Sequence, residues 1–173
     1  MIHKGTYVIF DRENDYDYYC QLKEWEKEDS RLLFVNQEAL GSDKDGFKTA
    51  DLSPEYIRMQ ISEANNVLVI LSPKTRVDDK RINSELTAAI WKYDMPVIFM
   101  YTDKREDFAI RFFTRGMFSR VPCVVKDLIK FHRKGFAHIP FTKRMVYVST
   151  AHYGAIRYFP NRYNEVTNPT VVI

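Results

Sequence analysis

Cysteine is scarce in this chain, with only Cys20 and Cys123 in 173 residues. Two thiols make neither a disulfide framework nor a cysteine metal site. They fit a cytoplasmic setting in which both stay reduced. Cys20 falls on the apolar face of a predicted helix and reads as core. The four histidines, at 3, 132, 138 and 152, show no metal-ligand spacing with cysteine or carboxylate, so no metal is expected. No apolar run approaches the roughly 20 residues that span a bilayer, so no membrane association is expected. The start, Met1 to Gly5, leads straight into a strand and leaves no room for a signal peptide.

Several catalytic signatures are also missing. There is no G-x-x-x-x-G-K-[ST], which excludes a P-loop NTPase. No G-x-G-x-x-G follows the first strand, which argues against a Rossmann dinucleotide site. The loop after that strand is acidic, unlike a flavin phosphate cradle. The third strand ends Leu71-Ser72, without the aspartate of a phospho-acceptor receiver. No G-x-S-x-G nucleophile elbow occurs.

The composition is that of one globular domain, 45% hydrophobic and 28% charged, with 12 Phe, 11 Tyr and 2 Trp. The net charge of +3 is uneven. Residues 1–103 hold 13 Lys/Arg against 19 Asp/Glu (−6), residues 104–144 hold 11 against 3 (+8), and the rest two against one (+1). The basic stretch includes Arg105, Arg111, Arg115, Arg120, Arg133, Lys134, Lys143 and Arg144. Its charges are spread out, so it reads as a solvated face complementing the acidic half, and nucleic-acid binding is not expected.

Hydrophobic patterning gives an α/β order. Thr6 to Phe10 reads as strand one, followed by a polar turn and a helix carrying Tyr16, Tyr19, Cys20 and Trp25. Leu32 to Val35 reads as strand two, and 36–52 as a long loop. Ser53-Pro54-Glu55 is a helix start, with Ile57, Ile61 and Ala64 on one face. Val67 to Leu71 is strand three. A helix capped by Asp79 follows, with a stripe of Ile82, Leu86, Ala89, Ile90 and Tyr93, closed by Pro96. Val97 to Tyr101 is strand four. Pro122 to Lys134 reads as a helix ending at Gly135, Phe136 to Ile139 as a short fifth strand, and Phe141, Met145, Val148 and His152 as a last helix. Continuous apolar strands alternating with helices predict a doubly wound parallel sheet of about five strands, helices on both faces. The domain is expected over 1–153, with 154–173 as an extension or arm.

Glu85 is the residue this pattern singles out. It lies early in the helix after strand three, at the edge of the apolar stripe, near the carboxyl ends of strands where open α/β sheets bind ligands. On position alone most such glutamates are structural, serving the helix dipole for a few tenths to about 1 kcal/mol.

The segments Tyr7-Val8-Ile9-Phe10-Asp11, Leu33-Phe34-Val35-Asn36, Asn66 to Thr75, Asn83-Ser84-Glu85-Leu86, Met95-Pro96-Val97-Ile98 and Ile139-Pro140-Phe141-Thr142-Lys143 together resemble a TIR domain. The likeness is closer to the bacterial TIR-like family that includes the ThsB subunit of Thoeris anti-phage systems. It spans about residues 5 to 103. The resemblance implies a flavodoxin-like fold and, in enzymatic members, cleavage of the nicotinamide N-glycosidic bond of NAD. It makes Glu85 the catalytic residue, with NAD as substrate and no cofactor. Many members carry a Trp three or four residues before that Glu; here those positions hold Arg81 and Ile82. The resemblance further implies an ADP-ribose-derived signal, cyclic or conjugated, read by a separate effector protein, and a homo-oligomer.

One carboxylate suffices for this chemistry. Glycosidases pair two carboxylates because an alkoxide leaving group must be protonated. Nicotinamide leaves a cationic pyridinium as a neutral molecule. Phe10, Asp11, Asn36, Ser72, Lys74 and Thr75, at strand ends and the loops after them, are the candidate substrate-binding residues. Two other readings stand beside this one: a non-catalytic TIR-like interaction module, and a nucleoside deoxyribosyltransferase-like enzyme using a glutamate on a related fold.

Overall fold

The structure, a computed structural model, describes residues 5–35, 53–103, 119–130 and 136–151. Four strands form one parallel sheet in the order β1 (Thr6–Ile9), β2 (Asn66–Leu71), β3 (Val97–Tyr101), β4 (Ala137–Pro140). All three strand pairs are parallel, with Val8 opposite Leu68, Leu68 opposite Ile98 and Ile98 opposite Ala137.

The predicted second strand is reduced to a bridge. Phe34 pairs in parallel with Thr6, through Thr6 N–H to the Leu33 carbonyl (2.7 Å) and Val35 N–H to the Thr6 carbonyl (3.1 Å). This segment lies on the side of β1 away from β2, the place a second strand takes in the flavodoxin-like order. Among the described residues its one strand neighbour is β1, and Leu33 is exposed.

The helices are α1 (Tyr16–Glu28), α2 (Pro54–Glu63), α3 (Lys80–Thr87), α4 (Cys123–Lys130) and α5 (Lys143–Ala151). The start signals act as the sequence predicts. Ser53 Oγ accepts from the Tyr56 N–H, with Pro54 at the first helical position, and Asp79 Oδ1 accepts from the N–H groups of Arg81 and Ile82. α3 does not end at Thr87 but continues as a π turn over Ala88–Lys92. Asp94, in the left-handed region at φ 52°, then turns the chain toward Pro96 and β3.

Strand alternation sorts the core into two layers. Tyr7, Ile9, Val67, Val69, Leu71, Val97, Phe99 and Tyr101 face α2, α3, the π turn and α4. Val8, Phe10, Leu68, Ile70, Ile98, Met100 and Ile139 face α1 and α5. Every residue of β2 and β3 is buried, as expected for central parallel strands covered on both sides.

Three expectations shift in detail. The last two predicted elements are β4 and α5, with Thr142 opening α5 by accepting from the Met145 N–H. Cys20 is half-buried at the edge of its layer. Two residues of the basic stretch meet acids of the first half, Arg120 with Asp103 and Lys143 with Glu28. The loop 36–52, Arg105, Arg111, Arg115, Arg133, Lys134, Gly135, His152 and the arm 154–173 lie outside the described residues. No helix among those described is long and apolar enough to cross a membrane.

Candidate functional site

The crevice between β1 and β2 is the switch point of this sheet, because the chain leaves the two strands in opposite lateral directions. Two loops meet there, residues 10–15 after β1 and 72–79 after β2. Asp11 is their main tie. Its carboxylate accepts from Arg76 Nε, Nη2 and backbone N–H, each at 2.9 Å, from Asn14 Nδ2 at 2.9 Å, and from the Glu13 N–H at 3.1 Å. Burial alone would raise the Asp11 carboxyl; these donors outweigh it and hold the group well below the usual carboxylate range.

Asp15 makes the second tie. It is fully buried, and its Oδ2 accepts from Thr75 Oγ1 at 2.6 Å. Thr75 Oγ1 in turn accepts from the Ser72 N–H at 2.7 Å, and Ser72 Oγ accepts from the Lys74 N–H. Desolvation raises the Asp15 carboxyl, with Ser72 and Thr75 opposing and the Asp11 charge adding.

Glu85 enters from α3. The stripe edge assigned to it from sequence is in fact inside the core layer, where the residue is only 4% exposed. Tyr7, from the middle of β1, donates its hydroxyl to Glu85 Oε2 at 3.1 Å. Arg81, one turn earlier on α3, places Nε 3.6 Å from Oε1. Arg81 Nη2 also donates to the Phe10 carbonyl at 2.7 Å, and its guanidinium lies 5.8 Å from the Phe10 ring centroid. Burial pushes the Glu85 carboxyl above its ordinary value, while Arg81, the Tyr7 hydroxyl and Arg12 oppose it and Asp79 adds to it. Tyr7 is itself raised far above the usual phenol range, by burial first and by Glu85 second.

Of the substrate-binding candidates, Asp11, Ser72 and Thr75 converge on the tie between the two loops. Lys74 is exposed on the β2–α3 loop. Phe10 is buried in the α1 layer, its ring stacked on Tyr19 at 4.5 Å, so it offers the crevice a carbonyl and not a ring. Asn36 lies outside the described residues. Sequence reasoning missed Tyr7, Arg81, Arg76 and Asp15. The i, i+4 spacing of Arg81 and Glu85 and the facing parity of Tyr7 were available signals; Arg76 gave none.

A second polar cluster caps β3 and β4. Tyr101 Oη lies 3.0 Å from His138 Nδ1, and the His138 ring stacks on those of Phe99 and Tyr101. Desolvation pushes His138 down to about 3. Arg120 bonds Asp103 and the Leu71 carbonyl, both at 2.7 Å, with its guanidinium 5.3 Å from the Tyr101 ring centroid. Among the described residues no three histidines, cysteines or carboxylates converge as a metal site.

The model of the family described as Thoeris protein ThsB, TIR-like domain, matches residues 7–107, more than half of the chain, and the chain belongs to that family. No curated protein matches it.

Proposed function

We propose that this ThsB-family TIR-like domain cleaves NAD at the nicotinamide N-glycosidic bond, with Glu85 as the catalytic carboxylate. The observation that carries this reading is the buried Glu85 carboxylate beside the β1–β2 crevice, anchored through one oxygen by Tyr7. The C–N bond breaks with its electron pair going to the pyridinium nitrogen, so neutral nicotinamide departs without a general acid. Glu85 binds the ribose hydroxyls and stabilises the oxocarbenium-like transition state. Water then yields ADP-ribose and a proton. A nucleophile within the ADP-ribose gives a cyclic product, and another acceptor gives a conjugate.

In this scheme Lys74, exposed on the β2–α3 loop, meets a phosphate. Ser72, Thr75 and Asp11 hold that loop against the one after β1, Phe10 contributes its backbone carbonyl through Arg81, and Asn36 is a further proposed substrate contact. The product serves as a small-molecule signal to a separate effector protein in anti-phage defence, and the enzyme works in the cytoplasm.

One observation favours the interaction-module reading. Trp91, on the π turn, is 58% exposed, and Met59, on α2, is 47% exposed; the two elements pack against each other. Single exposed apolar residues are ordinary, but an exposed Trp and an exposed Met on two elements that pack together suit a self-association face.

The experiment is NAD consumption by wild type and Glu85→Gln, with products read by mass spectrometry. It includes high protein concentration and lysate from phage-infected cells as activating conditions. Nicotinamide release by wild type alone is the expected result, and the product mass separates hydrolysis, cyclisation and conjugation. Absence of turnover under all conditions would sink the catalytic reading. Trp91→Ala that abolishes self-association would then support the module.

A further inference from the structure

We propose that Arg81 and Tyr7 are the positioning residues of Glu85, and that they divide its two oxygens into an anchored one, Oε2, and a free one, Oε1, that meets the substrate. This rests on the reading of Glu85 as the reacting carboxylate.

The division follows from the distances. Tyr7 donates a hydrogen bond to Oε2 from the rigid, fully paired strand β1. Arg81 stands 3.6 Å from Oε1, which is an ion-pair distance and too long for a hydrogen bond. Among the described residues no donor bonds Oε1. Its lone pairs are therefore open to a ribose hydroxyl, while the nearby guanidinium supplies charge without occupying them.

Arg81 can hold that distance because it is tied elsewhere. Its Nη2 bonds the Phe10 carbonyl, a backbone atom where β1 ends. The side chain thus runs from the strand to the carboxylate as a strap. Its side chain is 28% exposed where that of Glu85 is almost fully buried, so Arg81 is the outer member of the pair.

The charged and titratable groups acting on Glu85 are Arg81 and Asp79 from α3 and its cap, Tyr7 from β1, and Arg12 from the loop after β1. Arg81 is the strongest influence opposing desolvation, so its charge favours the ionised form of the carboxylate. Tyr7, a neutral donor, mainly fixes direction.

The test follows the Glu85 carboxyl carbon by NMR in full-length protein labelled at glutamate, with Glu85→Gln to assign the resonance. In Arg81→Gln the titration midpoint rises by about one pH unit or more; in Arg81→Lys, which keeps the charge, it rises less. Tyr7→Phe gives a smaller rise. In NAD turnover Arg81→Gln and Tyr7→Phe lower kcat roughly ten- to hundredfold with KM changed far less. The acid limb of the Arg81→Gln pH profile moves with the NMR midpoint. An unmoved midpoint in folded Arg81→Gln overturns the proposal, as does equal turnover loss in the Lys and Gln variants. A moved midpoint in a protein without any NAD turnover overturns the NAD reading and leaves the role of Arg81 standing.

Discussion

Arg76 grips Asp11 through two parallel N–H donors, Nε to Oδ2 and Nη2 to Oδ1, each at 2.9 Å. The carboxylate belongs to the loop after β1 and the guanidinium to the loop after β2, 65 residues apart. This fork closes the crevice wall covalently distant segments would otherwise leave open, and it does so beside the strap over Glu85.

Removing the fork costs stability. Asp11→Ala is expected to destabilise the domain by roughly 1–2 kcal/mol, the range of about 1.5–3 for hydrogen bonds to a charged group being discounted because Arg76 is half-exposed. Asp11 is held below its unfolded value, so its contribution is complete above about pH 4 and is lost as pH falls further. Thermal melts between pH 2 and 7 should show the acid-side loss in wild type and a flatter curve in the variant.

Glu85→Gln is expected to abolish NAD cleavage and to stabilise the fold. The folded Glu85 carboxyl is raised, so wild-type stability declines as pH climbs from about 4.3 through that raised value. A neutral amide escapes this loss while still accepting from Tyr7. The gain at pH 7–8 should be on the order of 1 kcal/mol, seen as a melting temperature about 2–4 °C higher. A lower melting temperature at pH 8 would contradict the assignment of burial as the dominant effect.

His138 should make the fold acid-sensitive. Its folded value of about 3 lies below the unfolded value of about 6.5, so stability is complete above the latter and drains as pH falls toward the former. The slope limit is about 1.4 kcal/mol per pH unit. His138→Gln, whose amide can donate or accept, can still pair with the Tyr101 hydroxyl and cannot titrate. Its denaturant midpoint should change less than that of wild type between pH 6.5 and 4.

Gly5→Ala should cost about 2–3 kcal/mol. A Cβ at this position would stand 2.6 Å from the Leu33 carbonyl oxygen and 2.7 Å from Val35 Cγ1. The first is a backbone atom, so relief requires moving the bridged segment. A chemical-denaturation midpoint equal to wild type would rule this out.

The fold was largely legible because parallel strands covered on both faces read as unbroken apolar runs, and Ser53-Pro54 and Asp79 declare their helices. The second strand is shorter than read: Leu32 to Val35 has strand composition, but composition does not report how many residues pair, and here a single bridge joins Phe34 to Thr6. At the site, Glu85 was found from its place after strand three. Its depth was underestimated because a helical wheel fixes direction and not how closely the sheet approaches. Spacing and parity make Tyr7 and Arg81 compatible with a role at Glu85, but their contacts join positions 78 and 71 residues apart, Tyr7 with Glu85 and Phe10 with Arg81, which local patterning does not pair.

β1 is only four residues long, and neighbouring positions on it face opposite layers. A slip of one residue would offer Glu85 Thr6 or Val8 in place of a phenol, and the same chain would pack into a near-identical shape without an anchored carboxylate. Gly5 forbids that slip. Only a residue without a side chain fits against Leu33, and its immediate neighbours are Lys4 and Thr6. The glycine just before the first strand therefore acts as the alignment pin for the chemistry, two positions away from the hydroxyl it keeps in place.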